Sequence, residues 1–424
     1  MDSETRAKII HLIRKEVVPA MGCTEPMAVS LAVAKATEIL GKKPESIELR
    51  LSGNIIKNAM GVGIPGTGMI GLPIAIALGA LIGKSEYGLE VLRDLNPEAI
   101  ERGRQFIDEG RISISHLADT PSNLHIEVTV KAGDDTAEAV ISGSHTNFIR
   151  MARNNEVLFE KQASAAGAEE SEITLTAETV YKFGMEAPLE EISFILESGR
   201  LNKEAASLAL HGKWGHSLGA TMMNNGKSLF GDTPVEHMIC LTSAACDARM
   251  GGAPVSVMSN SGSGNQGITC TLPVVCYAED IGADEETTAR ALVISNLTSI
   301  YIKQSLGRLS ALCGCVVAST GAAAGLVYLM GGGFTQICAA IKNMVANLTG
   351  MICDGAKPAC AMKIASSVST AVLSSMLAMN GKCVTSAEGI VDDDIDRTVH
   401  NLTSIGREAM TETDKLVLKI MTGK

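Results

Sequence analysis

Two cysteines near the end of the chain, Cys353 and Cys360, have a spacing that could serve an iron–sulfur cluster. In an unbroken helix their separation is roughly 10 Å, which is too long for thiolates on adjacent corners of one cluster. Gly355 and Pro358 lie between them, and a proline disfavours helical geometry at the residue before it. The segment is therefore predicted to form a loop that turns both sulfur atoms inward.

Cys313 and Cys315 lie upstream, on a segment rich in small residues. Helical residues two apart point about 200° from each other, so only one of these thiols is expected to face a shared site. A cluster held by three thiolates would need one of this pair together with Cys353 and Cys360. Spacing alone leaves buried structural thiols as the alternative, because the compact cysteine runs of ferredoxins and structural zinc sites are missing.

Cys23 is a further candidate because it directly precedes a helix predicted at residues 26–41. Thr24 can cap that helix, and the backbone N–H groups and dipole at its start favour a thiolate with a lowered pKa. Cys23 could therefore bind iron or take a proton. The alternative is a buried thiol in a turn.

Two glycine-rich stretches carry polar side chains that could form a substrate pocket. The run from Gly61 to Gly66 matches G-x-G-x-x-G, but the preceding strand ends too early and no acidic residue closes a following strand, which argues against a dinucleotide site. The loop at 259–267 is either a flexible connection or a nest of backbone N–H groups for a carboxylate. The candidate substrate-binding residues are Asn54, Thr67, Ser261, Gly262, Ser263 and Asn265.

Three charged or titratable residues complete the set of candidates. Lys57 and His145 are rivals of Cys23 for the role of general base. His145 follows a predicted strand, and its ring could equally well hydrogen-bond a neighbouring backbone group. Arg249 could pair with a substrate carboxylate or with Asp247, and the internal pair is the prediction.

The elements that must position these residues indicate an α+β fold. Apolar and polar residues alternate as in half-buried strands, and the chain turns helical after residue 166. The predicted helices are 4–18, 26–41, 68–82, 86–93 and 97–109, and the predicted strands are 46–52, 112–117, 124–132, 137–143 and 155–162. We therefore expect a helical catalytic lobe from residues 1–42 and 167–424, with a smaller α/β lobe, 43–166, inserted.

Composition and charge predict a soluble cytoplasmic protein. The net charge of −11 without a basic block argues against a nucleic-acid partner. Charged residues interrupt the N-terminus, so no signal peptide is expected, and the eleven cysteines should stay reduced. The uncharged stretches 58–83 and 309–336 are long enough for a membrane, but they are rich in small residues and lack an aromatic belt. Buried central helices are predicted instead.

Several longer motifs resemble the cysteine desulfidase family, which is related to the alpha domain of iron–sulfur L-serine dehydratases. They are MGCTEP at 21–26, KNAMGVGIPGTGMIGLP at 57–73, SGSHTN at 142–147, GKWG at 212–215, CDARMGGAPVSVMSNSGSGNQGI at 246–268, RLSALCG at 308–314 and MICDGAKPACAMK at 351–363. These matches are distributed over nearly the whole chain.

The resemblance implies both a cofactor and a reaction. In the family, the cysteines matching Cys313, Cys353 and Cys360 bind a [4Fe-4S] cluster, and the cysteine matching Cys23 lies at the active site. Cys315 is not part of the family's pattern. The implied activity is that of an L-cysteine desulfidase, which converts L-cysteine into sulfide, ammonia and pyruvate.

Other functions compete with this one. The first is an iron–sulfur L-serine dehydratase. Those enzymes carry a C-terminal cysteine, whereas this chain finishes at Lys424, so Cys23 is expected as the fourth iron ligand or as a catalytic thiol. A non-catalytic iron–sulfur sensor and a membrane transporter are alternatives of another class. A homo-oligomer is neither required nor excluded.

Overall fold

The computed structural model describes residues 1–120, 122–161, 173–224, 231–307 and 309–423. It confirms the predicted α+β fold. The helices are α1 Ser3–Glu16, α2 Thr24–Leu40, α3 Gly53–Ala59, α4 Leu72–Leu81, α5 Pro97–Asp108, α6 Ala177–Glu186, α7 Leu189–Ile192, α8 Leu196–Leu210, α9 Leu218–Asn224, α10 Pro234–Met250, α11 Gly264–Asp280, α12 Glu285–Leu306, α13 Gly314–Leu329, α14 Phe334–Leu348, α15 Cys360–Met379, α16 Ile395–Ser404 and α17 Thr411–Thr422. The strands are β1 Pro19–Met21, β2 Ser46–Leu51, β3 Ile112–His116, β4 His125–Ala132, β5 Asp135–Ser142, β6 Phe148–Arg153, β7 Glu156–Glu160 and β8 Ser256–Met258.

Six strands form one sheet in the order β3-β2-β4-β5-β6-β7. Strands β2 and β3 are parallel and the other pairs are antiparallel. The predicted alternation sets the register, since Ile47, Leu49 and Leu51 of β2 all point into the core. Strand β6 was missed because its sequence, FIRMAR, does not alternate cleanly. The helix predicted at 86–93 is a 3-10 helix, Ser85–Glu90, interrupted at Gly88.

Helix α2 packs across this sheet together with α4. Most of its side chains are buried, from Met27 through Leu40, in the same apolar cluster as the inner faces of β2, β4 and β5. Gly79 of α4 lies directly on α2, because a Cβ there would lie 2.7 Å from the Ser30 carbonyl oxygen. This packing places α2 beside the sheet, and Cys23 directly precedes the first residue of the helix.

A second apolar cluster fills the helical part of the chain, around α10, α11, α12, α13 and α15. Small residues allow these helices to approach closely. At Gly321 of α13, for example, a Cβ would lie 2.3 Å from the Ser295 carbonyl oxygen of α12. Helix α13 is buried along nearly its whole length and begins directly after Cys313, one of the predicted iron ligands.

A two-stranded sheet joins the N-terminal segment to the helical part of the chain. Strand β1 pairs with β8, and the N–H of Ser261 donates to the Glu16 carbonyl oxygen. These short strands were not predicted, because three residues carry no alternation signal. They place Cys23 beside the loop that opens α11.

The division into two domains stays a prediction, and its boundary at 166–167 lies outside the described residues, as does Gln162 at the end of a predicted strand. The apolar clusters group α2 with the sheet, although it was assigned to the helical lobe.

One helix among the described residues, Cys360–Met379, is long and apolar enough for a membrane span, and 56% of its apolar window is buried inside the protein. A core helix of a soluble protein has the same properties. The two uncharged stretches contain the shorter helices Leu72–Leu81 and Gly314–Leu329. Both are buried, which confirms the prediction for these stretches, and a membrane protein is not indicated.

Candidate functional site

Two chain segments bring Cys313 and Cys353 together. Leu312 and Ile352 form an isolated antiparallel bridge. On either side of it, the N–H of Cys313 donates to the Met351 carbonyl oxygen at 3.0 Å, and the N–H of Cys353 donates to the Ala311 carbonyl oxygen at 2.7 Å. Because these hydrogen bonds lock the two segments side by side, the positions of both thiols are fixed by the backbone.

The loop between Cys353 and Cys360 has the predicted break. Helix α15 begins only at Cys360, after Pro358, and Gly355 has a φ of +90°. A Cβ at Gly355 would lie 2.1 Å from the Lys57 carbonyl oxygen, so only glycine fits. The Cys360 thiol turns back towards the Gly355 carbonyl oxygen at 3.7 Å.

The three predicted ligands influence one another electrostatically. A hydrogen bond from Cys315 lowers the pKa of Cys313 to about 7, against the effect of burial. Burial and the charge of Cys313 raise the pKa of Cys353 to about 11. Burial raises the pKa of Cys360 too, and the charge of Cys313 adds to the shift. Each of the three thiols therefore lies within electrostatic range of the other two.

The expectation that only one thiol of Cys313 and Cys315 can face the site is wrong. Cys313 is the N-cap of α13 and has an extended backbone, so the helical angle of 200° does not apply to the pair. The Cys315 thiol lies close enough to the Cys313 sulfur to lower the pKa of Cys313.

Positive charges surround these thiols. Lys357 and Lys363 lower the pKa of Cys313, after the effect of Cys315. Lys57 lowers the pKa of Cys353, although burial dominates there. Lysines beside cysteines favour thiolates, the form that binds iron.

The donor set fits a cluster better than a single ion. All eleven cysteines are free thiols. Among the described residues, no three His, Cys, Asp or Glu side chains converge as ligands of one metal ion. In a cluster, each thiolate binds its own iron atom, so the sulfurs need not converge on one point. Three mutually close thiols with lysines around them meet this requirement.

Lys57 connects α3 to both the cysteine loop and the C-terminal helix. Its side chain is 1% exposed, its ammonium forms an ion pair with Asp414 of α17, and it donates to the Cys353 carbonyl oxygen at 3.4 Å. These contacts assign it a positioning role in the structure. Its role as general base stays a prediction.

Cys23 lies at the start of α2, but not as predicted. Cys23 itself is the N-cap and Thr24 is the first helical residue, with no side-chain capping bond. The Cys23 thiol donates to Glu25 Oε2 at 2.8 Å. Burial and the charge of Glu25 raise the pKa of Cys23 well above its ordinary value. The predicted lowering of this pKa is therefore wrong, because burial and a neighbouring carboxylate outweigh the helix dipole.

Glu25 is the centre of this group of side chains. Burial opposes its ionisation, but the charge of His145 and the hydrogen bond from Cys23 outweigh burial and lower its pKa. Asn58 of α3 donates to Glu25 Oε1 at 3.0 Å. The structure thus brings the predicted residues Cys23 and His145 to one carboxylate, which sequence reasoning had noted only for its place in the helix.

The polar residues of the first glycine-rich stretch behave differently from one another. Asn54 and Asn58 are four residues apart on one face of α3, and both side-chain oxygens are buried without a hydrogen-bond partner in the described part of the chain. The Thr67 hydroxyl bonds the Ile64 carbonyl oxygen at 2.7 Å and so holds its own turn. Its role in substrate binding stays a prediction.

The second stretch, Ser261 to Asn265, lies across the site from Glu25. Ser261 and Gly262 have φ values of +49° and +79°, and the Ser263 side chain caps α11 by accepting from the Gln266 N–H. The Thr24 hydroxyl donates to the Gly262 carbonyl oxygen at 3.2 Å. These contacts place the loop next to the start of α2.

Arg249 and Cys246, at the end of α10, connect this loop to the cysteines. Arg249 donates to the Gly22 carbonyl oxygen and to Asn265 Oδ1, at 3.1 and 3.0 Å. The predicted pair with Asp247 is wrong, because the Asp247 carboxylate accepts backbone N–H groups of the turn before α9 instead. Burial raises the pKa of Cys246, and the charges of Cys360 and Cys313 add to the shift.

Sequence reasoning did not select Glu25, Asn58 or Cys246 as site residues. Each of them lies within a motif that was recognised, so the motifs contained the signal. The chemistry of the individual residues gave no such signal, because a buried carboxylate, amide or thiol has no spacing pattern of its own.

The chain belongs to the serine dehydratase alpha-chain family, whose model matches residues 86–419. This is a family of lyase-type enzymes, and the match includes the three cysteines of the helical part, His145 and Arg249.

Relatives match the chain over its full length. A UPF0597 protein of Bacteroides fragilis is 60% identical over 427 residues, which cover 100% of both chains. A UPF0597 protein of Porphyromonas gingivalis is 54% identical, again with 100% of both chains covered. One of Chromobacterium violaceum is 43% identical over 98% of this chain and 97% of the relative.

Proposed function

We propose that this protein is an L-cysteine desulfidase, which eliminates sulfide from L-cysteine with the help of a [4Fe-4S] cluster. The observation that carries the proposal is that helix α3 contacts both groups: Lys57 donates to the Cys353 carbonyl oxygen, and the next residue, Asn58, donates to Glu25, the partner of Cys23. The family match supports a lyase, and the motif resemblance supports cysteine as its substrate. A cytoplasmic location is part of the same proposal.

Cys313, Cys353 and Cys360 would hold the cluster. When bound, the cluster would supply an iron atom with no protein thiolate, a Lewis acid for the substrate sulfur. The three thiolates add negative charge to a buried place. Lys57, Lys357 and Lys363 partly offset that charge: Lys363 and Lys357 help to lower the pKa of Cys313, and Lys57 opposes the rise that burial causes in the pKa of Cys353.

Cys23 would take the proton from Cα of the substrate. Its own proton must leave first, and the hydrogen bond leads to Glu25 Oε2. The raised pKa of Cys23 and the lowered pKa of Glu25 oppose this transfer in the free protein, so it has to accompany substrate binding. Asn58 and His145 hold the Glu25 carboxylate in place for that transfer. Because Cys23 is 2% exposed and Glu25 is 7% exposed, bulk water has little access to either proton acceptor. Binding of iron by Cys23 is the competing role.

The remaining chemistry balances with water as the only other reactant. Loss of the Cα proton and departure of the sulfur with the electron pair of the Cβ–S bond give sulfide and aminoacrylate. Aminoacrylate becomes an imine, and one water molecule hydrolyses the imine to pyruvate and ammonia. The unpartnered oxygens of Asn54 and Asn58 are suitable acceptors for the substrate amino group.

Cysteine suits this site better than serine for two chemical reasons. Cluster iron prefers soft sulfur donors to a hydroxyl. The thiol pKa of about 8.5 is also far closer to neutrality than that of an alcohol, so a thiolate forms more easily and leaves more easily.

An L-serine dehydratase is the second candidate, and the family match favours it. The proton-handling residues would act in the same way on serine. The two candidates therefore differ in the substrate atom that meets the iron, and a direct comparison of substrates separates them.

The test is an anaerobic assay of reconstituted protein with L-cysteine and with L-serine. We expect equal amounts of sulfide and pyruvate from cysteine, at least tenfold faster than pyruvate from serine, which needs only about 1.4 kcal/mol in the transition state. Cys23→Ala should keep its iron and lose turnover, while Cys276→Ala, a buried thiol on α11, should keep both. Equal or faster turnover of serine would assign the protein as a dehydratase.

A further inference from the structure

Arg249 is a buried cation whose hydrogen-bond partners are all neutral. Its side chain is 3% exposed at the end of α10. Nε donates to the Gly22 carbonyl oxygen at 3.1 Å, and Nη1 donates to Asn265 Oδ1 at 3.0 Å. Nη2 makes no hydrogen bond to any described residue. The guanidinium is thus held in place on two sides and is open on a third.

No carboxylate among the described residues lies within 4.0 Å of the Arg249 guanidinium. Asp247 faces the turn before α9, and the Glu25 oxygens accept from Cys23 and Asn58. Lys57, another buried cation, is paired with Asp414. Glu25 is close enough for the charge of Arg249 to lower its pKa, but neither Glu25 oxygen bonds the guanidinium. Because a buried charge with no directly bonded counter-charge is destabilising, we expect the guanidinium to take a negatively charged partner from outside the chain.

The start of α11 adds positive potential at the same place. The guanidinium lies against Gly264, where a Cβ would be 2.2 Å from Nε. The N–H groups of Gly264 and Asn265, the first two of this helix, have no acceptor in the described part of the chain. The helix spans 17 residues, so its dipole is fully developed. A carboxylate here could meet both the guanidinium and these N–H groups.

We propose that Arg249 and the N–H groups of Gly264 and Asn265 bind the α-carboxylate of the substrate. The inference rests on the proposed function, because it takes the substrate to be an amino acid. Arg249 is bonded to Gly22, the residue before Cys23, so an acid held there would lie next to the segment that carries Cys23. Ser263 and Asn265, which flank Gly264, are half-buried. Arg249 is therefore the residue that selects acids over neutral thiols.

Two ligands that differ only in this charge test the assignment. 3-Mercaptopropionate and 3-mercaptopropionamide share a thiol, and calorimetry on anaerobic, cluster-loaded protein gives the ratio of their dissociation constants. We expect the wild type to prefer the carboxylate about 100-fold, and Arg249→Met to lose that preference. A 100-fold change corresponds to about 2.8 kcal/mol, within the roughly 2–5 kcal/mol for one partner of a buried charge pair.

Two more variants separate charge recognition from folding. Arg249→Lys keeps the charge and should keep part of the preference, about tenfold. Arg290→Met removes another largely buried guanidinium, one paired with Glu286 on α12, and should keep the full preference. A wild type that does not distinguish the two ligands, or a folded Arg249→Met that still does, overturns the inference. The calorimetry measures binding without turnover. A protein that binds the carboxylate through Arg249 but does not convert L-cysteine would therefore refute the proposed reaction, in the separate activity assay, and leave the role of Arg249 intact.

Discussion

Replacing Glu25 by glutamine tests whether this carboxylate accepts the proton of Cys23. The side chain keeps its shape, and the amide oxygen can still accept from Asn58. An NH2 group then replaces Oε2, so the Cys23 thiol loses the acceptor of its 2.8 Å bond. A general base contributes typically 10²–10⁴-fold to a rate. That range corresponds to about 2.7–5.4 kcal/mol of activation free energy, so we expect kcat to fall by that factor with little change in KM.

The assay is anaerobic formation of pyruvate from L-cysteine, with bound iron measured on the same sample. Glu236→Gln is the matched control, since Glu236 is also a buried carboxylate in the first turn of a helix, α10, and should leave kcat unchanged. Removal of the Glu25 charge also removes one cause of the raised pKa of Cys23, after burial, so that pKa should fall. A Glu25→Gln variant with wild-type kcat and full iron would refute the proton path.

Two further predictions concern stability. Gly355→Ala places a methyl group 2.1 Å from a backbone oxygen of α3 at a φ of +90°. We therefore expect the free energy of unfolding to fall by about 2–4 kcal/mol and bound iron to be lost. The control is Gly350→Ala, whose Cβ would have nothing within 4 Å and which should behave as wild type in thermal unfolding. His237 is bonded to Asp232 and Asp280, which raise its pKa above 6.5. The stabilisation that protonated His237 gains from these two carboxylates is therefore present below pH 6.5 and is lost as the pH rises through the raised pKa. His237→Gln should consequently lower the unfolding temperature more at pH 5.5 than at pH 9. Because the ring is 42% exposed, the effect should stay under about 1 kcal/mol, and an equal effect at both pH values would contradict it.

Local patterns predicted most of the fold correctly. Strands β2, β4 and β5 alternate strictly, and the break after Cys353 follows from the stereochemistry of Pro358. The pairing of β1 with β8 was beyond such reasoning, because it joins two segments far apart in the chain. The same holds for the packing of α2 on the sheet, which is decided by what the rest of the chain buries.

The site was predicted in part, and its electrostatics were not. The motifs identified Cys23 and the three cysteines of the helical part, while their neighbours became visible only in three dimensions. The pKa of Cys23 depends on burial and on Glu25. The hydrogen-bond partners of Arg249 depend on the direction of the Asp247 side chain, which points away from it. Sequence separation gives no information about either contact.

The most direct test of the account compares Cys353→Ala with Cys315→Ala in anaerobic preparations made side by side. Iron, labile sulfide and sulfide released from L-cysteine are measured on each sample. Cys353→Ala should have neither cluster nor activity, because it removes a ligand held by the Ala311 backbone, while Cys315→Ala should retain both. Sulfide release by Cys353→Ala at the wild-type rate would contradict the central claim.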